Sequence, residues 1–482
     1  MSTPRDHRLH APAVAAALGS ALLSAAVLLR RPLVNNDGVY YLLAAEAFAR
    51  DGLDAARATY PWPFFSVLVA GVAALLRLPV EVAAQVTCAA LLAATSAAFV
   101  LVVRRLGGTP RLEWLAAGIV VAHPWLNQAR DELVRDFGVW ALALLALRAL
   151  LDMEDGRAAA VARWATLGSA AILFRPDAAA LLLAAPLALV LHRDAAGRRG
   201  FASAALVLAF ALAAGAAAFA LMLRIPGIEI TGGHNRRAAT AHAASSPLPN
   251  GREYAPLLLA SGLALLPVVK TLKTLGAAHG LLAAAGAWRA RPASAFHRAA
   301  LLATLAAAAI PLYVQAARLL FVESRYTIVA TLVLGLLAPF GAAWLLDRGP
   351  RWTGAVLAAA LVATAAFSLP RDTSAPHVRA AAAWVRDHGG GARLRTNSLQ
   401  VAYLSRAPVD WTRVRLAAVG GSLDAAGQGE LWVVRIAPAD ARLRARLDAS
   451  FTPRATFAGP GGDAVRIYAC TASAGCTVGP GE

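Results

Sequence analysis

The chain has 482 residues, of which 59% are hydrophobic and only 15% charged, with a mean hydropathy of +0.57. Soluble domains carry about a quarter charged residues, so an ordinary soluble enzyme is excluded. The net charge of +18 comes mostly from arginines in short turns between apolar blocks, as in a membrane protein with basic cytoplasmic loops, and no aromatic-interleaved basic face points to nucleic acid.

The apolar blocks are roughly 17–25 residues long, enough to cross a bilayer. Arg5 and Arg8 precede the first, 11–29, which runs into Arg30-Arg31-Pro32. It is long for the apolar core of a signal peptide and reads as a retained span, with the N-terminus inside. The first outer loop, 30–81, carries Asn35-Asn36-Asp37, Tyr40-Tyr41 and an amphipathic run to Arg50. Pro61-Trp62-Pro63 then opens a stretch to Leu76 that is expected to lie on the outer surface. A crossing there would invert every later loop and turn the arginine-rich ones outward.

Spans are expected over 82–103, 112–126 and 137–151, then two shorter ones flank Arg175-Pro176-Asp177, and 201–223 follows. A long polar outer loop, 225–256, precedes an apolar stretch that resumes near Leu257, is interrupted by Lys270 and Lys273, and returns inside at Arg289. Spans over 299–320, 328–346 and 352–369 bring the total to about eleven. After Pro370 the composition turns polar. A helix is predicted over 377–388, stopped by Gly389-Gly390-Gly391, with strands over 393–396, 431–436 and 464–468. The chain therefore divides into an all-α, polytopic membrane domain, 1–370, and a small α/β domain, 371–482, outside the membrane.

Cys88 lies in an apolar block and reads as packing. Cys470 and Cys476 are close together in the tail and can pair if the tail is periplasmic; no spacing points to zinc or redox chemistry.

Charges at membrane depth cost about 2.5–3.5 kcal/mol each, so they need a reason. Those of interest collect at the outer ends of spans: Asp37, the run from Arg130 to Asp136, Arg175 with Asp177, Lys270 with Lys273, and Glu323 with Arg325. Asp37 can act as a general base on an acceptor hydroxyl, hold a divalent metal with a second carboxylate, or simply cap a helix. Asp136 admits the same readings, as a cap or as a second carboxylate facing Asp37. In Arg175-Pro176-Asp177 the proline breaks the helix, and the charges either pair internally or offer a guanidinium to phosphate. Arg325-Tyr326 poses the same choice. Lys270 and Lys273 can snorkel to headgroups. No P-loop, GxGxxG, HExxH or GxSxG is found in a supporting context, so ATP bound by this chain is not the energy source, and an activated lipid substrate fits instead.

The order of these motifs resembles the GT-C superfamily of membrane glycosyltransferases, in the branch of protein O-mannosyltransferases and the lipid A aminoarabinose transferase. It comprises a first span, an Asp-x-x-Tyr-Tyr outer loop, a proline-rich second stretch, an Arg-Asp before a span, an Arg-Pro-Asp hairpin and a late Arg-Tyr. The segment AAAWVRDHGGGARLRTNSLQVAYLSRAPV resembles the outer domain that closes many bacterial members. The resemblance implies a polyprenyl-phosphate sugar donor, a glycan, lipid or protein acceptor, and a site on the periplasmic face of the inner membrane. It implies a catalytic or metal-associated role for Asp37 and Asp136, and donor-phosphate contact for Arg325. Tyr40, Tyr41, Arg130, Arg175, Asp177, Lys270 and Tyr326 are the remaining candidate substrate contacts. Gly38 stands where many members carry glutamate, a departure that bears on any divalent metal. Two rival readings are a transporter or flippase of lipid-linked glycan, which calls for inverted repeats and broken helices, and a non-catalytic membrane scaffold.

Overall fold

The computed structural model describes residues 11–155, 158–192, 249–289, 294–371, 374–409, 430–437 and 453–469, with a few isolated positions besides. The expected span 201–223, most of the outer loop 225–256, and Cys470 and Cys476 lie outside the described residues or at their margins. The chain forms two compact units. One comprises Met1–Val27, Ala44–Arg130 and Val134–Pro370; the other comprises Leu28–Leu43, Asp131–Leu133 and Arg371–Glu482.

The first unit is helical. In chain order its helices are α1 (Ala11–Leu28), the second half of α2 (Asn36–Asp51), α3 (Leu53–Thr59), α4 (Phe64–Leu76), α5 (Val80–Arg105), α6 (Pro110–Val121), α7 (Pro124–Gln128), α8 (Asp136–Leu151), α9 (Ala158–Phe174) and α10 (Ala184–Leu191). They continue with α11 (Pro249–Leu275), α12 (Ala277–Arg289), α13 (Ala295–Leu319), α14 (Ile328–Gly335), α15 (Ala338–Arg348) and α16 (Thr353–Ser368). Local chemistry sets several starts. Thr109 and Ser294 accept backbone N–H bonds from Leu112 and His297, and proline occupies the first turn of α6 and α7, where its missing donor does no harm.

Among the described residues, three helices (α1, α5 and α13) are long and apolar enough to cross a membrane, or up to five spans if two bent pairs each count as one. The protein is thus a membrane protein. Helix α4, at 13 residues, is only about 20 Å long against a bilayer core of about 30 Å. It buries one face through Phe65, Ser66, Val69 and Ala70.

The bends differ from the straight spans that the apolar pattern predicts. Leu259–Leu275 and Ala277–Arg289 meet at 103° through Gly276, whose φ of +77° is the left-handed conformation that glycine adopts freely. Pro124 packs so closely there that a Cβ on Gly276 would lie 2.9 Å from its ring. A second bend of 43° separates Ser324–Gly335 from Ala338–Arg348, with Pro339 in the first turn of α15 supplying no N–H to continue the helix. Helices α12 and α15 touch backbone to backbone. A Cβ on Gly286 would strike the Leu337 carbonyl, and one on Gly341 the Leu282 carbonyl. At the ends expected to face the cytoplasm, arginines are paired: Arg105 with Asp152 (2.8 Å) and Asp155 (3.1 Å), Arg163 with Asp152 (3.2 Å), and Arg111 with Asp347 (2.6 Å).

In the second unit, helices α17 (Pro376–His388) and α18 (Leu399–Ser405) flank a sheet of β1 (Arg393–Thr396), β2 (Glu430–Ile436), β3 (Ala455–Ala458) and β4 (Ala464–Ala469). The strand order is β1-β2-β4-β3, with β1 parallel to β2 and the other pairs antiparallel. Residues 378, 381, 382 and 385 of α17 recur at helical spacing and pack with Leu394, Leu431, Val433, Val465 and Ile467 from one sheet face. The opposite face buries Trp432, Val434, Ile436 and Tyr468 with Leu447. Strand β3, which the sequence reading omits, is only four residues long and joins β4 through Gly459-Pro460-Gly461-Gly462. His377, at the start of α17, meets Asp463 at 3.1 Å, and Arg435 Nη2 donates to the same carboxylate at 2.7 Å. Burial alone would raise the Asp463 pKa, but the Arg435 hydrogen bonds and charge, helped by His377, hold it below the usual carboxylate range.

Candidate active site

The charged residues singled out by sequence resolve into two groups, one in each unit. The first is built where α8 and α9 come together. A Cβ on Gly138 would run into the Phe174 ring, so only glycine permits this approach, and it lies two residues after Asp136 while Phe174 directly precedes Arg175. Trp62 Nε1 donates to the Leu173 carbonyl at 2.7 Å, and Phe64 meets Phe174 edge-on at 5.1 Å; the Pro61-Trp62-Pro63 segment thereby braces the same turn. Arg175 is extended (φ −148°, ψ 125°) ahead of the 3₁₀ turn Pro176–Leu183, which frees its side chain to reach back along α8.

Arg175 is the hub. Its Nε donates to Asp177 Oδ1 at 2.9 Å and its Nη2 to Asp177 Oδ2, a two-pronged pairing, while Nη1 donates to Asp136 Oδ1. Its guanidinium carbon lies 3.9 Å from the centroid of the Tyr326 ring, a cation–π contact. Asp136 is the first residue of α8 and its side chain is 4% exposed, whereas Asp177 is 34% exposed. Two carboxylates on one guanidinium leave this trio with one net negative charge.

Beside Tyr326 in the 3₁₀ turn Ser324–Thr327, Arg325 pairs with Glu323 at 2.6 Å, and Glu323 is 41% exposed. The turn is tied to α11. The Thr327 hydroxyl lies 3.0 Å from that of Thr274, whose own hydroxyl donates to the Lys270 carbonyl at 2.7 Å. Lys270 is half-buried. Arg325 and Lys270 are therefore chemically unlike Arg175. Arg175 is held by two carboxylates, one of them the buried Asp136, whereas the Arg325 counter-ion is the single, partly exposed Glu323. Arg130 is buried, with Nη1 donating to Ser20 O and Ser24 Oγ (2.7 Å each) and Nε to Asn127 Oδ1 at 2.9 Å; these bonds pin α7 to α1.

The second group surrounds Asp37. The Asn35 carbonyl accepts from Val39 N at 3.1 Å, so Asn35 is the residue that starts α2, and Asp37 sits inside the first turn. A negative charge is favourable there beside the helix N-terminus. The amide of Asn35 accepts from Leu133 N at 2.9 Å, and that of Asn36 from Gln400 Nε2 at 2.8 Å. Asp37 and Tyr40 are half-buried; Tyr41 is buried. Gly38 is packed on three sides, since a Cβ there would lie 2.6 Å from Asn35 Oδ1, 2.8 Å from Val34 Cγ1 and 2.9 Å from Leu133 Cβ. A larger residue at this position would require these neighbours to shift.

Asp136 is engaged by Arg175, whose positive charge opposes a dication. Among the described residues no three His, Cys, Asp or Glu side chains gather. Sequence reasoning missed Gly138 and Gln400. A glycine in an apolar helix and a polar residue far along the chain carry no local signal of the partners they meet.

No protein-family model matches the sequence, and no curated protein matches it. The fold, however, is shared with solved membrane glycosyltransferases. ArnT from Cupriavidus metallidurans, solved with undecaprenyl phosphate, superposes with a TM-score of 0.56 at 15% identity over 93% of this chain and 96% of that one. The Archaeoglobus fulgidus oligosaccharyltransferase, solved with zinc and sulfate, gives 0.54 at 14% identity over 94% and 73%. Arabinofuranosyltransferase AftD from mycobacteria gives 0.50 at 18% identity over 95% of this chain and 41% of that one. All three are GT-C enzymes, and the fold of the present chain is the GT-C fold.

Proposed function

We propose that the protein is a glycosyltransferase that moves a sugar from a polyprenyl-phosphate donor to a cell-envelope acceptor on the periplasmic face of the inner membrane. The observation that carries the reading is the buried network of Asp136, Arg175, Asp177 and Tyr326, with the exchangeable Arg325–Glu323 pair beside it, on a GT-C fold. Charges at such a depth need a purpose. The likeness to proteins solved with undecaprenyl phosphate and with dolichol phosphate supports a lipid-phosphate donor.

The reaction is a direct displacement. Asp37 takes the proton from the acceptor hydroxyl as its oxygen bonds to the anomeric carbon. The bond from that carbon to the donor phosphate oxygen breaks, and the electron pair leaves with the polyprenyl phosphate. Arg325, which gives up Glu323 for the phosphate, and Lys270 stabilise the charge that develops. Asp136, expected as a second catalytic carboxylate, instead holds Arg175, and Arg175 and Asp177 keep the Tyr326 ring and its turn in place. Tyr40 is retained as an acceptor contact. Tyr41 and Arg130, being buried, support the helices that carry the site.

The full count of about eleven spans, an inside N-terminus and an outside tail belong to the same proposal. Reporter fusions at Gly197 and Gly421 are expected to read cytoplasmic and periplasmic respectively. The two bent helix pairs are the feature that a flippase would also claim. Vesicles containing the purified protein separate the readings. Undecaprenyl phosphate carrying a radiolabelled hexose or pentose should pass label to envelope acceptor and leave free lipid phosphate; movement of intact donor across the bilayer with no bond cleavage would favour the transporter.

A further inference from the structure

Within the second unit, the segment that carries Asp37 and the C-terminal residues form one folded piece. Three contacts join them, and a fourth ties the same segment to Leu133. Leu33 packs on the core of α17, α18 and the sheet. Arg379 Nη2 donates to the Pro32 carbonyl at 2.9 Å. Asn35 accepts from Leu133 N, and Asn36, the residue before Asp37, accepts from Gln400 Nε2 at 2.8 Å.

Gln400 is itself held. Ser398 Oγ donates to its Oε1 at 3.2 Å and accepts from Val401 N at 3.3 Å as the cap of α18, and Ser398 N donates to Thr396 Oγ1, on β1, at 3.0 Å. A hydrogen-bonded line therefore runs from strand β1 through Thr396, Ser398 and Gln400 to Asn36. Asn36 is the first residue of α2 and Asp37 the second. The direction of the Asp37 carboxylate follows from where the first turn of α2 begins, and that is set on both sides by amides with external partners.

We propose that Gln400 is a positioning residue for Asp37, so that the C-terminal domain completes the catalytic geometry by fixing the start of α2. The inference rests on the reading of Asp37 as the catalytic base. Gln400 touches no reacting atom in this account; it acts through Asn36. Displacing a catalytic group by about 1 Å lowers rate by up to roughly a hundredfold, whereas donor recognition through Arg325 and Lys270 should be untouched.

The test uses full-length protein in vesicles with undecaprenyl phosphate carrying radiolabelled hexose or pentose. Gln400→Met keeps the side-chain length and removes the donor. We expect kcat to fall roughly ten- to hundredfold with the donor KM and the unfolding temperature unchanged. In an Asp37→Asn background Gln400→Met should add no further loss. A wild-type kcat in Gln400→Met, a change confined to KM, or an additional loss in the Asp37→Asn background overturns the proposal. If Gln400→Met does not accumulate, Asn36→Asp and Gln400→Glu, singly and together, replace it. The pair places two carboxylates face to face, and its kcat should fall by more than the product of the single losses; multiplicative losses overturn the proposal. Asp37→Asn with normal transfer, or no transfer by the wild type from either donor, removes the catalytic reading itself. An impaired Asp37→Asn beside an unimpaired Gln400→Met removes only the positioning role.

Discussion

Asp136 and Asp37 both sit in the first turn of a helix, yet they are held in opposite ways. Asp136 is fixed by its own carboxylate, which is buried against Arg175. Asp37 is fixed through its neighbours, whose amides and tight packing at Gly38 set the backbone beneath it. A carboxylate spent on a buried ion pair cannot also serve as a base without releasing its partner. The two look alike in sequence, and this contrast is what underlies the proposed division of roles between them.

The largest expected effect is in the first group. Arg175→Ala leaves the buried Asp136 without its partner, and an uncompensated buried charge costs about 3–5 kcal/mol. The variant should fail to accumulate in membranes, as measured by fluorescence of a tagged protein on size-exclusion chromatography. A monodisperse, stable Arg175→Ala would place the trio in a wetter setting than its burial indicates and blur the contrast.

Arg325→Ala comes next. Its ion-pair partner Glu323 is 41% exposed, so folding should hold while kcat/KM for the donor falls by about a hundredfold, the scale of one lost electrostatic contact in the transition state. Wild-type donor kinetics in a well-expressed Arg325→Ala would show that the phosphate is met elsewhere.

Gly138→Ala tests the packing that creates the first group. Its Cβ must push Phe174 away, and overpacking of this kind costs about 1–3 kcal/mol. A drop in unfolding temperature with retained expression is the expected result, and no drop would mean that α8 and α9 have room to spare.

The smallest effect is in the tail. Asp463 has a depressed pKa in the folded protein, so its stabilisation is fully present above the ordinary carboxylate value of about 4 and is lost as pH falls through the lower, folded value. Amide exchange in β4 should accelerate on acidification below about pH 4, less so in Asp463→Asn. Identical pH dependence in the two proteins would remove Asp463 as the cause.

Much of the fold was legible because it depends on local pattern. The apolar blocks pointed to helices in the membrane unit, and the run 377–388 stopped by the triple glycine pointed to α17. The Gly276 bend was not legible, because a glycine in an apolar run is equally compatible with a straight helix until Pro124 is seen to pack on it. Sequence order placed Asp37, Tyr40, Tyr41, Arg130, Asp136, Arg175, Asp177, Lys270, Arg325 and Tyr326 among the candidates, and of these the structure brings Asp136, Arg175, Asp177, Arg325 and Tyr326 into one network. Which carboxylate would be neutralised was hidden, since it turns on a contact between residues 39 apart that exists only because Gly138 lets Phe174 in. The dependence of the Asp37 turn on Gln400 spans 364 residues and had no sequence signal at all.

The most direct test of the account is Asp37→Asn in vesicles supplied with radiolabelled undecaprenyl-phosphate sugar, with transfer and protein level measured in the same preparation. Asparagine keeps the size of the side chain and gives up only the charge–dipole interaction of the first turn, about 0.3–1 kcal/mol, so insertion and abundance should stay close to those of the wild type. Transfer is predicted to fall by about a hundredfold or more, as for the loss of a general base. Undiminished transfer at normal abundance would contradict the assignment of catalysis to Asp37.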